Sequence, residues 1–343
     1  MQAIDWTKLG FKYLDTHCHI RYIWRNGAWD AGELVSEPYL KMHIAATCLH
    51  YGQAAFEGLK VFGCKDGKVR AFRPQANAER LARTARRVCM APIPESLFLE
   101  ALQRVVQANI DFVPPYGTGG SLYVRPLLIG SGAQIGVAPA DEFTFIIMVM
   151  PVGPYYKGNL QPVRAAILDD YDRAAPLGVG DVKVAGNYAA SLFAHEQAKH
   201  DGYPVELYLD ARTHTFIEEF ATSNFFAITK DGKYVTPDSP SILPSVTNDT
   251  LKQVAADLGM IVETRPVPYE ELHTFAEIGA CGTAVVVTPV NEIVRGKTVI
   301  KIGSDGNACG PVLQKLYNTV QGIQYGNLPD THGWCMDLNT TLG

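Results

Sequence analysis

Two Asp-Gly dipeptides do most to limit the architecture open to this chain. Asp66-Gly67 separates two strand-like runs in "LKVFGCKDGKVRAF", and Asp231-Gly232 does the same in "NFFAITKDGKYVTP". Asp and Gly tolerate the backbone angles that tight hairpin turns demand, so both stretches read as antiparallel hairpins. A doubly wound parallel sheet has no use for two-residue turns, because its strands are joined by long crossovers.

Helices alternate with these strands. "PQANAERLARTARRVCM" opens with Pro74, sets Ala78, Leu81, Ala82, Ala85 and Val88 on one helical face, and stops before Pro92. "PESLFLEALQRVVQANIDFV" places Leu97, Ala101, Val105 and Ile110 near the same spacing, and "SLYVRPLLIG" and "FTFIIMVMPVGPYYKG" read as strands ended by Pro and Gly. Residues 1–168 therefore form a smaller α+β domain. The aperiodic stretch "LDDYDRAAPLGVGD" supplies an interdomain connection over 169–181. A second domain over 182–343 starts with a helix in "NYAASLFAHEQAKHDG", continues through a strand pair in "VELYLDARTHTFIEE", and carries another helix in "TNDTLKQVAADLG". The fold class expected is α/β in the α+β sense, and 343 residues suit two domains.

Charge and cysteine usage narrow the function. With 30 basic and 35 acidic residues the net charge is −5, which argues against nucleic acid as the main partner and for a small metabolite. Seven scattered cysteines form neither a disulfide framework nor a zinc pattern, as expected of a reducing cytoplasm. No apolar window reaches the roughly 18 residues of a membrane span, and the amino-terminal segment lacks the pattern of a secretory signal. "THCH" at 16–19 has no second ligand cluster at a matching spacing, so no metal is expected.

Five features carry possible chemistry. Lys183 lies between Val182 and Val184 in "GDVKVAGNYAASL", a setting that disfavours a charged amine and could free it to attack a carbonyl; the competing reading is a lysine whose head reaches water. Thr247 or Asn248 can cap a helix whose start would cradle an anion. Glu218 and Glu219 end a strand pattern, so one points inward if the other meets solvent, and a buried carboxylate needs a cationic or protonated partner. Of Arg80, Arg83, Arg86 and Arg87 most form a solvated face, while one could grip a phosphate. Arg125, inside an apolar strand, must find an anion or a carbonyl.

Taken in order, "HYGQAAFEGLK" (50–60), "SLYVRPLLIG" (121–130), "PVGPYY" (151–156), "VKVAGNYAASL" (182–192), "IEEFATSNFFAI" (217–228), "LPSVTNDTL" (243–251) and "GTAVVVTPV" (282–290) resemble the branched-chain amino acid aminotransferases. These are fold type IV pyridoxal 5′-phosphate enzymes, with a larger second domain built on a barrel-like β core. The resemblance spans roughly residues 45 to 325. It implies that Lys183 is the Schiff-base lysine, that Tyr188 bonds the cofactor's phenolic oxygen, and that Glu219 pairs with its ring nitrogen. Phosphate contacts fall on Arg80, Val246, Thr247 and Thr283. Substrate contacts fall on Tyr51, Phe56, Tyr123, Arg125, Tyr155, Thr222 and Ala284, with Tyr51 expected to serve the neighbouring subunit of a homodimer.

The implied reaction moves the amino group of leucine, isoleucine or valine to 2-oxoglutarate. A D-amino acid aminotransferase or an aminodeoxychorismate lyase would share the lysine and the phosphate cradle. This chain departs from the pattern at Ala185, where the family has a first glycine, and at Ser245 in place of the commoner glycine. Val285 and Thr288 occupy the positions of the redox cysteine pair found in some animal relatives, so thiol regulation of that kind is not expected.

Overall fold

The computed structural model describes residues 4–154, 156, 160–303 and 309–341. The chain divides into two compact units, one made of Met1–Tyr155, Val182–Gly186 and Gly322–Gly343, the other of Tyr156–Asp181 and Asn187–Gln321. The first unit thus takes in 182–186 and 322–343, which the sequence reading put with the second half.

In chain order the early elements are β1 (His19–Arg25), β2 (Ala28–Trp29), β3 (Glu33–Val35), α1 (Thr47–Tyr51), β4 (Ala54–Phe56), β5 (Leu59–Gly63), β6 (Lys68–Phe72), α2 (Pro74–Arg87), α3 (Glu95–Ala108), β7 (Ser121–Gly130) and β8 (Phe143–Val152). There follow β9 (Val163–Ile167), α4 (Ala185–His200), β10 (Val205–Leu209), β11 (Ile217–Phe220), β12 (Ser223–Thr229), β13 (Tyr234–Pro237), α5 (Val246–Asp257) and β14 (Val262–Arg265). The last are β15 (Phe275–Gly282), β16 (Val286–Arg295), β17 (Thr298–Lys301), α6 (Pro311–Gln324) and β18 (Cys335–Thr341).

The first unit is an antiparallel sheet in the order β18-β6-β5-β7-β8-β1-β2, with β3 also on β1 and β4 also on β7. Both expected hairpins form, with a longer turn than two residues. The amide of Cys64 bonds the carbonyl of Lys68 around Lys65 to Gly67, and Gly67 alone takes a positive φ of 79°. That is a tight turn closed by a left-handed glycine, and Gly232 at 84° closes the second hairpin the same way.

Alternation sorts the sheet's residues onto two faces. Leu59, Val61, Leu122, Val124, Phe145 and Ile147 pack with Leu81 and Ala85 of α2 and Phe98, Leu102 and Val105 of α3. Each Val, Leu, Ile or Phe among them contributes about 1.5–3 kcal/mol by leaving water. The intervening residues Phe56, Lys60, Arg125, Leu127 and Met148 are only half-buried.

In the second unit, β11-β10-β9-β16-β15-β12 form a ring, because β12 pairs back onto β11. Closure removes the open edges that an isolated sheet would present, and Leu207, Phe220, Phe225, Ile278, Val290 and Ile293 fill this barrel. Pairs β9–β10 and β9–β16 are parallel, as are β13 and β14, whose crossover is α5. Among the described residues no helix is long and apolar enough to cross a membrane.

Candidate active site

In the first unit the backbone of Lys183 runs beside β4. Its N–H donates to Thr84 Oγ1 of α2 at 3.1 Å, its carbonyl accepts the amide of Phe56 at 3.2 Å, and Val184 bridges to Ala55. Val182 and Val184 are buried on either side, and Lys183 Nζ lies 4.5 Å from the centroid of the Phe56 ring. The lysine is thus built into the interior of its unit, half-buried, with its amine over an aromatic face.

Close by stands a carboxylate whose importance the sequence reading missed. Glu57 is wholly buried; Arg80 Nε donates to its Oε1 at 2.7 Å and Arg80 Nη2 to its Oε2 at 2.8 Å. Asn77 adds a bond at 2.8 Å and the amide of Gly58 one at 3.2 Å. Burial works to raise the proton affinity of Glu57. The charge and hydrogen bonds of Arg80, the charge of Lys183 and the Asn77 amide outweigh it, and the carboxyl titrates below its usual range. Arg83, Arg86 and Arg87 are exposed on the other side of α2.

On the half-buried face of the same sheet, Arg125 donates to Tyr123 Oη at 2.9 Å and stands 4.9 Å from the Phe56 centroid. The anion or carbonyl expected for Arg125 is therefore replaced by a phenol hydroxyl and ring faces, which satisfy a guanidinium in a partly wet setting. Tyr51, at the end of α1, is exposed and donates to the carbonyl of Ile135. Tyr155 lies outside the described residues.

In the second unit Glu219 is 2% exposed on β11. Its Oε1 accepts the amide of Leu243 at 2.8 Å and lies 2.8 Å from Arg173, while Oε2 accepts from Asn224, its cross-strand partner, at 3.3 Å. Glu218 departs from expectation. Neither carboxylate meets solvent: Glu218 is buried too and takes the hydroxyls of Ser239 and Ser241. Those two donors stand in for water, which is how a strand can bury acids on both faces.

The loop after β13 ties this carboxylate to α5. Asn224 Nδ2 donates to the carbonyl of Leu243 at 2.9 Å, two residues before the cap of α5. The cap is Ser245, whose hydroxyl accepts the amide of Asn248, so the expected caps Thr247 and Asn248 sit inside the first turn instead. Asn248 spends its own side chain on Tyr234 and Thr236 of β13, which pins the helix start. Val246 and Thr247 are half-buried there, at the positive end of the helix.

Thr283 and exposed Ala284 occupy the turn between β15 and β16, and that turn ends at Val286 with φ of 70°. A β-branched residue at such an angle is strained, and strain of this kind concentrates at functional sites. Thr222 is exposed between β11 and β12, and Tyr188 is half-buried in the first turns of α4. The neighbouring Asn187 donates to the carbonyl of Val179 at 2.8 Å.

Lys183 and the buried Glu57 thus belong to the first unit, and the buried Glu219 and the start of α5 to the second. The family model for amino-transferase class IV matches residues 54–293, from the start of β4 into β16. The chain belongs to the class IV aminotransferases. A branched-chain-amino-acid aminotransferase of Haemophilus influenzae is 48% identical to it over 344 residues, covering 98% of this chain and 100% of that one. The crystal structure of the Escherichia coli branched-chain amino acid aminotransferase superposes with a TM-score of 0.77 at 28% identity, over 93% of this chain and 99% of that one. A T.th. branched-chain amino acid aminotransferase, solved with pyridoxamine 5′-phosphate, gives 0.78 at 26% identity, over 93% and 98%.

Two residues of this class IV aminotransferase had no signal of their own in the sequence. Glu57 was visible only as part of the "FEG" run, and Arg173 lay in the stretch read as a connection. A buried arginine in an aperiodic segment can be found only once its partner is placed.

Proposed function

We propose that this class IV aminotransferase moves the amino group of leucine, isoleucine or valine to 2-oxoglutarate, giving the branched 2-oxo acid and glutamate, with pyridoxal 5′-phosphate as cofactor. The observation that carries this reading is Lys183, held by its backbone to β4 and α2 with its amine over Phe56. The residues present fit the cofactor by their chemistry. They offer a buried carboxylate suited to a protonated ring nitrogen, an amine in apolar surroundings, and hydroxyls with amides at the start of α5 suited to a phosphate.

Bound, the cofactor supplies a conjugated ring that takes up the electron pair left when the substrate α-carbon loses its proton. Lys183 Nζ would hold it covalently, and its free amine would move the proton at that α-carbon. Glu219 holds the proton at the ring nitrogen, Tyr188 orients the phenolic oxygen, and Arg80, Val246, Thr247 and Thr283 take the phosphate. By the resemblance Phe56, Tyr123, Tyr155, Thr222 and Ala284 would serve the substrate, and Arg125 would meet the second carboxylate of glutamate.

Further readings attach to this proposal. We infer a homodimer in which Tyr51 reaches the partner's substrate: Ile44, Leu49, Ile135 and Val137 stand exposed around α1 and the loop bonded to it. A cytoplasmic location is supported by the cysteines, all of which are free thiols.

The absorption spectrum of the purified protein tests the assignment. A near-visible band that shifts on adding leucine and returns with 2-oxoglutarate is expected, and Lys183→Ala should abolish turnover. A colourless protein that ignores added pyridoxal 5′-phosphate would overturn the cofactor and the reaction together. Turnover of D-amino acids in preference to leucine would move the assignment to another member of the class.

A further inference from the structure

Among the described residues Arg173 is the cation set against Glu219, and no step above uses it. Its side chain is 4% exposed and that of Glu219 3%, with 2.8 Å between Nη1 and Oε1. The same nitrogen also faces the carbonyls of Gly180 at 3.2 Å and Ser241 at 3.1 Å. Gly180 makes this possible, because a Cβ there would collide with the Ser241 carbonyl and crowd Ala174. Arg173 Nε is buried without a hydrogen-bond partner among the described residues. Burying an ion pair in this way brings little stability over a well-packed apolar pair, so its value is to be sought in what the charge does to Glu219.

We infer that Arg173 is a positioning residue for the cofactor's ring nitrogen: it fixes the Glu219 carboxylate and holds it ionised, so that the shared proton rests on the ring rather than on the acid. This rests on the Glu219 assignment proposed above. The physics is direct. A carboxylate as deeply buried as Glu219 would favour its neutral form, and a guanidinium in contact favours the charged one. With Oε1 held by Arg173 and Leu243 and Oε2 by Asn224, the carboxylate cannot rotate to a different hydrogen-bonding arrangement without breaking two of these bonds.

Without the arginine, Glu219 takes up the proton, and the ring nitrogen faces an acid rather than an anion. The ring is then a weaker sink for electrons, while the phosphate and the lysine still hold the cofactor. Arg173 therefore acts on one atom of the cofactor, and that makes its role separable from a general effect on folding.

The test compares pyridoxal 5′-phosphate with its 1-deaza analogue, in which carbon replaces the ring nitrogen. Each is titrated into the full-length chain stripped of cofactor, for wild type, Arg173→Met, Arg173→Lys and Glu219→Gln. The readouts are the dissociation constants and the ¹⁵N chemical shift of ring-labelled cofactor. The wild type should favour the natural cofactor, and Arg173→Met should reduce that preference by about tenfold or more. The ring ¹⁵N signal should move to the unprotonated range in Arg173→Met, whereas Arg173→Lys, which keeps the charge, should retain the preference.

Equal losses for both cofactors in Arg173→Met, with the ¹⁵N shift unchanged, would mean a structural role only and overturn the inference. If Arg173→Met does not fold, Arg173→Gln removes the charge while keeping a donor for the carbonyls, and the same outcomes decide. A wild-type preference in Glu219→Gln would instead overturn the Glu219 assignment itself. The two failures are thereby told apart.

Discussion

Replacing Glu57 with Gln should be among the most damaging single-atom changes in the first unit. The substitution keeps the volume but removes the charge that Arg80 grips through Nε at 2.7 Å and Nη2 at 2.8 Å, in a place where the two side chains are 0% and 9% exposed. It also sets a new amide N–H₂ against the donors of Arg80 and Asn77. Breaking a buried pair from one side leaves an uncompensated charge and costs about 3–5 kcal/mol. For a unit of this size that corresponds to a fall in melting midpoint of roughly 10 °C. The double variant Glu57→Gln/Arg80→Met removes both charges and should recover most of the loss. Guanidinium unfolding of the chain stripped of cofactor measures this free of any change in phosphate binding. A loss below about 1 kcal/mol for Glu57→Gln, or a double variant as unstable as the sum of its parts, would refute the claim that this pair is coupled and buried.

Other outcomes follow from single contacts. Ser245→Ala removes the cap of α5 and should cost about 1 kcal/mol of stability, read by denaturant midpoint, together with weaker retention of pyridoxal 5′-phosphate. Gly58→Ala would drive a Cβ into the hydroxyl of Tyr123 and displace the partner of Arg125; steady-state kinetics should show KM for 2-oxoglutarate rising more than KM for leucine. Burial lowers the pKa of Lys60 from 10.5 to about 8. Because the unfolded chain keeps that proton longer, the penalty is complete below about pH 8 and stability rises from there towards pH 10.5. Lys60→Met should flatten that rise in unfolding midpoints taken across the window.

Local pattern made much of this molecule readable. In α2 the spacing placed Ala78, Leu81, Ala82, Ala85 and Val88 inward; the first four are buried, and Val88, just past the last turn, is half-buried. In α3 Ala101 and Val105 are buried as the spacing placed them, together with Phe98, Leu102 and Val106, while Leu97 in the first turn and Ile110 beyond the end of the helix are half-buried. Pairings between distant segments were not legible. Nothing near 163–167 announces that β9 lies parallel to both β10 and β16, and only the assembled ring defines an inside. The site followed the same division. Lys183, Glu219 and the start of α5 stood out by residue type and by resemblance. Glu57 and Arg173 matter through partners 23 and 46 positions away and gave no local sign.

The discontinuity of the first unit has a consequence for how the chain is made. Its sheet is closed at one edge by β18, paired to β6, and Lys183 is supplied by a short return of the chain at 182–186. At about 5–20 residues per second the return at 182–186 is made within a few seconds of residue 155, whereas the edge strand follows on the order of ten seconds or more later. Throughout that interval β6 presents an unpaired edge, while the strip beside β4 is filled early by 182–186. The first unit thus keeps one open edge while the entire barrel is synthesised, and Lys183 reaches its place beside β4 before β18 closes the sheet.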